Sequence, residues 1–468
     1  MNENIDFRRR KESGLKRGVR MRAFAIVLAL AGATSVLASQ DRSEILALMH
    51  DGRFDAAREL LRYRANASPP EIAFFVAFTT YWQLIFDDAN PALKATLETE
   101  LTASMEAAER AMDGENPGDA ALWGGSSHLL LAELRASQRR PLAAAFEAKR
   151  ARKLLESDTL SAPAALDALF GLGTYNYVAD TVPSYVKGLR ALLFLPKGNR
   201  SKGLEQLENA AVGSRSFAVE ARILLITIYS NKHERLYGRS LDERDLLLRS
   251  SPDAIAAAYA SARLDLALGR FEAALASLAR AEARERQLGD VDPVVLRSME
   301  LLRAQAELAM LRPDLAHATA GRALATGLGL GPSIRDDLVE VNQAAESEAA
   351  GIDWSPVGEA RSPDQDAAAF ALLATAHPEH PIFALLAGDA RLRGGHAEEA
   401  LTWFARVDLA SLPPDLQASC RFRQACANDL LGRRSQAIEL YGRVAAISGF
   451  VAKDGAFFHQ VSPYSGAP

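Results

Sequence analysis

The stretch ARLDLALGRFEAALASL, residues 262–278, decides the fold. Ala262 lies seven residues before Gly269, Ala274 five after it and Leu278 nine after it. A glycine closing one helix can adopt the left-handed conformation that turns the chain back. Small residues on both sides of the turn then let the two antiparallel helices approach closely, and the large residue fills the space toward the next pair. The same frame recurs at Gly52, Ala57, Leu61, at Gly198, Gly203, Leu207, at Gly395, Ala400, Phe404 and at Gly432, Ala437, Tyr441. Seven residues before the glycine stand Ala191, Gly388 and Ala425, with Ile45 the exception. Outside the frame, apolar residues recur at three- and four-residue spacing with almost no alternation, the period of helices and not of strands. These patterns predict an all-α chain, an α-α superhelix (solenoid) of antiparallel helix pairs.

The spacing and residue types resemble the tetratricopeptide repeat. Its clearest second-helix starts here are GRFDAARELL from Gly52, GRFEAALASL from Gly269 and GGHAEEALTWF from Gly394. Pro69 and Pro378 fall where that repeat often closes a unit. The resemblance covers residues 250–450 most fully, whereas 70–180 is irregular. A narrower resemblance rests on GLGTYNYVADTVPSYVKGL from Gly171, followed by LPKGNRSKGLEQLENAA from Leu195. These stretches look like the tetratricopeptide repeat protein 39 family and its yeast mitochondrial outer-membrane relative involved in inclusion-body clearance, over residues 140–280. That resemblance implies shared architecture and no catalytic residue. In the frame, SYVKGLRALLFL, residues 184–195, is the first helix of the Gly198 unit, and Gly171 and Gly173 need a closely packed neighbour to repay their cost within a helix.

Further divisions follow from composition. Residues 349–366 lack helical periodicity and carry two prolines, the mark of a linker or long loop between an array over 39–348 and C-terminal repeats over 367–451. Residues 452–468 read as a flexible tail whose Phe457 and Phe458 can dock on the last helix pair. At the other end, Met21-Arg22 precedes AFAIVLALAGATSVLA, residues 23–38, sixteen residues without a charge. Val36 and Ala38 supply the small residues of a cleavage site, so residues 1–38 read as a secretory signal, with Met21 as an alternative start. An uncleaved anchor is the alternative, although the run is shorter than the roughly 20 apolar residues of a comfortable span. The expected location is therefore periplasmic or secreted.

Charge narrows the partners. The net charge is -5, yet residues 1–38 carry eight basic against three acidic residues, which leaves -10 on the remainder. So acidic a body is a poor match for a phosphate backbone, and nucleic acid is not an expected partner. The two cysteines, Cys420 and Cys426, would stand roughly 9 Å apart on one helix, too far for a disulfide.

No motif carries chemistry. WGGSSHLLL, from Trp123, lacks the spacing of a nucleophile elbow, so Gly124 and Gly125 read as a helix-initiating turn capped by Ser126 or Ser127. His377 and His380 each precede a proline, which favours an extended inter-repeat turn over a ligand pair. Glu398 and Glu399 suit the positive end of a helix dipole. Neither cofactor nor metal is expected. The reading is a non-enzymatic scaffold whose partner is a protein or peptide on a concave wall, near Tyr259, Arg263, Asp389, Arg393, Phe422 and Arg423. Peripheral membrane contact through the amphipathic residues 184–195 is the alternative.

Overall fold

A computed structural model describes residues 42–466 apart from 65–66, 182–196, 328, 350–351, 353, 355–361 and 448–449. The sequence expectations for residues 1–38, for the 184–195 helix and for most of 349–366 therefore lie outside the described residues. All regular structure among the described residues is helical. In chain order the helices are α1 (42–50), α2 (Phe54–Arg62), α3 (Pro69–Phe86), α4 (Pro91–Ala111), α5 (Pro117–Ser137), α6 (Pro141–Leu155) and α7 (Ala162–Thr181). There follow α8 (Arg200–Gly213), α9 (Ala218–Ser230), α10 (Tyr237–Ser250), α11 (Ile255–Ala267), α12 (Phe271–Leu288), α13 (Pro293–Ala309), α14 (Pro313–Thr326) and α15 (Pro332–Ala349). The last are α16 (Pro363–Ala376), α17 (Pro381–Arg393), α18 (Ala397–Phe404), α19 (Pro414–Leu430), α20 (Arg434–Ala445) and α21 (Lys453–Val461). Ten of them begin at a proline, whose fixed φ suits a first helical residue and whose missing donor is not needed there.

Consecutive helices pack as adjacent pairs, which makes the chain an α-solenoid. The frame glycines explain the turns. Gly52, Gly269, Gly395 and Gly432 all take positive φ, between 70° and 83°, at the end of a first helix. Three other turns use the same conformation without glycine, at Arg139, Arg235 and Leu311. These turns join α5 to α6, α9 to α10 and α13 to α14. Gly198 behaves differently, since an added Cβ would stand 2.4 Å from the Asn176 carbonyl oxygen. Its helix, α8, pairs with α7 among the described helices. Gly173 and Gly203 make that pairing possible, because a Cβ on Gly203 would meet the backbone nitrogen of Tyr177 at 2.6 Å.

The inner helices run in a circuit. Contacts pass from α3 to α5, α7, α8, α9, α11 and α13, and from α13 back to α3. At the closure the Asp292 amide donates to the Gly52 carbonyl at 2.8 Å and the Ser298 hydroxyl to the Phe86 carbonyl at 2.7 Å. The interior is filled by one face of α3, whose Phe74, Phe78, Trp82 and Phe86 recur every four residues and are all buried. Phe217 stands opposite, with ring centroids 5.9 Å from Phe74, 5.7 Å from Phe78 and 5.2 Å from Phe170. Such contacts are favourable beyond the area they bury.

Two sequence expectations change here. Gly124 and Gly125 lie inside α5, which starts at Pro117 under an Asn116 cap, and they admit Ala108 and Leu155 where side chains would clash. Residues 453–461 form α21 and are not a loose tail. Ala452 and Ala456 are fully buried and Gly455 lies so close to α11 that a Cβ would meet the Leu268 carbonyl oxygen at 2.3 Å. Phe458 docks edge-on against Tyr237 of α10, and Phe457 receives Arg235, so the contact is with the middle of the chain. Within the 349–366 stretch, Ser362 and Gln365 form a capping box that opens α16, and Trp354 packs against Phe383. No described helix is long and apolar enough to cross a membrane.

Candidate functional site

Between α3, α9 and α11 the packing leaves a cavity of about 160 Å3. Its walls are apolar: Trp82, Ile85 and Phe86 from α3, Ile223 and Ile226 from α9, and Leu264 from α11. Small residues create the space, since Ala256, Ala260 and Ala267 line α11 where larger side chains would fill it. At the rim stand Thr227 and Arg263, both exposed. Tyr259 also lines the cavity, its ring 4.8 Å from Phe86, and the Arg263 guanidinium lies 5.9 Å from the Tyr259 ring. Burial pushes the Tyr259 phenol above its ordinary range, against the opposing effect of Arg263, so the ring stays neutral. An apolar recess with one cationic rim residue has the chemistry to accept an apolar group beside a carbonyl or carboxylate.

The six residues placed on a concave wall by the repeat frame separate into two groups. Tyr259 and Arg263 meet at the cavity. Asp389, Arg393, Phe422 and Arg423 do not lie on an open wall, and this corrects the sequence reading. They form the seam where the C-terminal helices pack on α11–α13. Arg423 donates to Asp389 and, through Nη2, to the Ala309 carbonyl at 2.9 Å, so a cation meets the carbonyl end of α13. Arg393 reaches Asp389 at 3.0 Å. Burial alone would raise the Asp389 carboxyl, but Arg423 and Arg393 outweigh it and hold it below the usual carboxylate range. Phe422 fits against Gly269, where a Cβ would come within 2.7 Å of its ring.

Other buried polar groups also join helices. Asp167 of α7 accepts from the Ser214 hydroxyl at 2.7 Å, the Arg215 amide at 2.8 Å and the Ser216 hydroxyl at 2.8 Å, which fixes the turn into α9. His50 of α1 meets Glu220 of α9 at 2.9 Å. Ser127, expected as a cap, bonds the Trp123 carbonyl and Ser104 at 2.8 Å each, and His128 meets Glu147 at 2.7 Å. His377 and His380 flank the turn between α16 and α17, as the prolines implied, with ring centroids 6.2 Å apart. Glu398 and Glu399 occupy the first turn of α18. Cys420 and Cys426 are buried, unpaired and both on α19, where burial pushes each thiol up to about 12.

The cavity itself was not legible in the sequence, since it depends on α3 closing against α11. The nearest signal was the alanine run of residues 256–258 and 260 beside the aromatic stripe of α3. No family model matches this chain, and no curated protein matches it either.

Proposed function

We propose that the protein is an exported, non-enzymatic adaptor of tetratricopeptide type that binds a segment of another polypeptide. The cavity between α3, α9 and α11 carries this reading. Its 160 Å3 is close to the roughly 150 Å3 apolar void that accepts a benzene-sized group, so it suits one large apolar side chain. Arg263 and Thr227 at its mouth supply donors for the backbone or carboxylate beside that side chain. The polar clusters described above are engaged in holding helices together, which agrees with a binding role and not a catalytic one. Export is supported by the uncharged run at residues 23–38 behind Arg22.

The experiment is proximity labelling from the exported protein, comparing the wild type with Ala260→Phe, which fills the cavity, and Arg263→Glu, which reverses its rim. Both variants should lose the same set of partners while retaining the wild-type helical circular-dichroism melt. Capture of an unchanged set by both would refute the cavity as the binding site.

A further inference from the structure

We propose that α6 docks the protein on an anionic phospholipid surface. This helix lies on the outside of the array, with α5 and α7 behind it, and Ala151 and Leu155 face them fully buried. On its other side Leu142, Phe146, Lys149 and Lys153 recur at offsets of four, seven and eleven residues and so share one face. Leu142 is 46% exposed and Phe146 47% exposed, an unusual outlay for large apolar side chains one turn apart.

The charges around them are nearly all positive. Arg139, Arg140, Lys149, Arg150 and Lys153 are exposed. The two nearby carboxylates are occupied, Glu147 by His128 at 2.7 Å and Arg150 at 3.3 Å, Glu156 by Arg152 at 2.9 Å. Arg139, Arg140, Lys149 and Lys153 form no ion pair among the described residues. A chain of net charge -5 with only ten lysines thus places two of them, beside three arginines, around an exposed phenylalanine.

That combination fits a lipid surface better than an acidic polypeptide. The apolar groups stand on an exposed helix face among the cations, where a phenyl ring can enter the headgroup layer while flexible lysines meet phosphates above it. An acidic polypeptide would gain nothing from exposed Leu142 and Phe146 unless a recess received its own apolar residues. The groove along Phe146, Lys149, Arg150, Arg152, Lys153 and Glu156 has four cationic side chains among its six. The surface is separate from the cavity at α3, α9 and α11, so it goes beyond the adaptor reading and does not depend on it.

The test is flotation of the chain from residue 39 onward, which holds every described helix and omits the apolar N-terminal run. Mixed phosphatidylcholine–phosphatidylglycerol vesicles are compared with pure phosphatidylcholine. The protein should float with the mixed vesicles only, and less so at high salt. Lys149→Glu with Lys153→Glu should lower partitioning at least about a hundredfold, and Phe146→Ser about tenfold. Lys149→Gln with Lys153→Gln, a milder pair, should fall between wild type and the charge reversal, and Ala260→Phe should float as the wild type does. Phe146, Lys149 and Lys153 are exposed and tolerate polar groups in the fold, which an unchanged circular-dichroism melt verifies. Equal flotation with both vesicle types, no flotation, or flotation indifferent to Lys149 and Lys153 would overturn the proposal. Binding of polyglutamate through these residues without flotation would overturn it in favour of an acidic polypeptide.

Discussion

Replacing Gly395 with alanine isolates the backbone cost of the turn that the whole array repeats. Gly395 has a φ of 83°, and a Cβ built on it meets nothing within 4 Å, so sterics with neighbours contribute nothing. A side chain in the left-handed region costs about 1–2 kcal/mol. Alanine also narrows the unfolded ensemble, which returns about 0.4–1 kcal/mol. Gly395→Ala should therefore lose about 1 kcal/mol. Gly269→Ala carries the same backbone term plus a Cβ 2.7 Å from the Phe422 ring, and overpacking of that kind adds about 1–3 kcal/mol. Arg139→Gly is the reciprocal change: an exposed side chain at φ 58° gives way to the residue that suits it, for a gain of about 0.5–1 kcal/mol. Urea unfolding followed by circular dichroism reads all three, with hydrogen exchange over residues 390–404 to localise the Gly395 effect, provided the slopes stay equal. If Gly395→Ala left stability unchanged, or Gly269→Ala cost no more than Gly395→Ala, the account of these turns would fail.

Three further outcomes follow from the packing. Phe217→Ala, which removes the ring facing Phe74, Phe78 and Phe170, should cost about 3–5 kcal/mol in the same unfolding experiment. Cys420 and Cys426, with thiols pushed up to about 12, should resist labelling by a thiol reagent near pH 8 in the native protein and react only in denaturant. His459 of α21 is held below its ordinary pKa chiefly by burial, among Tyr441, Tyr464, Asp429, Arg434 and Arg270, despite its bond to the Ser462 carbonyl. Its folded pKa is depressed, so its contribution is complete above the unfolded value of about 6.5 and is lost as pH falls from there through the folded value. Hydrogen exchange in α21 should quicken across that window and His459→Gln should flatten the change. Asp454 on the same helix, raised by burial, acts in the opposite sense at lower pH.

The repeat glycines were the most legible part of this fold, because one residue type answers one backbone demand. Gly52, Gly269, Gly395 and Gly432 each turn where the frame put them. The same turn at Arg139, Arg235 and Leu311 escaped that search because a side chain there tolerates the conformation at a cost. A weaker signal did exist around Leu311, where Ala304, Ala316 and Ala320 keep the offsets of the frame and are fully buried. The candidate site was less legible. An inner-face position predicts exposure only when nothing fills the interior, and the four-residue spacing of Phe74, Phe78, Trp82 and Phe86 fills it. For the seam residues, charge suggested solvent, whereas Arg423 and Asp389 satisfy each other and the end of α13 out of it. Small residues at Ala452, Gly455 and Ala456 marked a close packing contact at the C-terminus, a reading that composition alone obscured.

The return of α13 to the first hairpin sets a timetable for synthesis. Arg53 finds Asp290 across 237 positions, and Asp51 finds Arg284 across 233. The turn between α1 and α2 thus waits, with Gly52 uncovered, until some two hundred and thirty later residues have been made. A nascent chain held open for that long stays threadable, and it must be shielded from its neighbours until its own middle arrives.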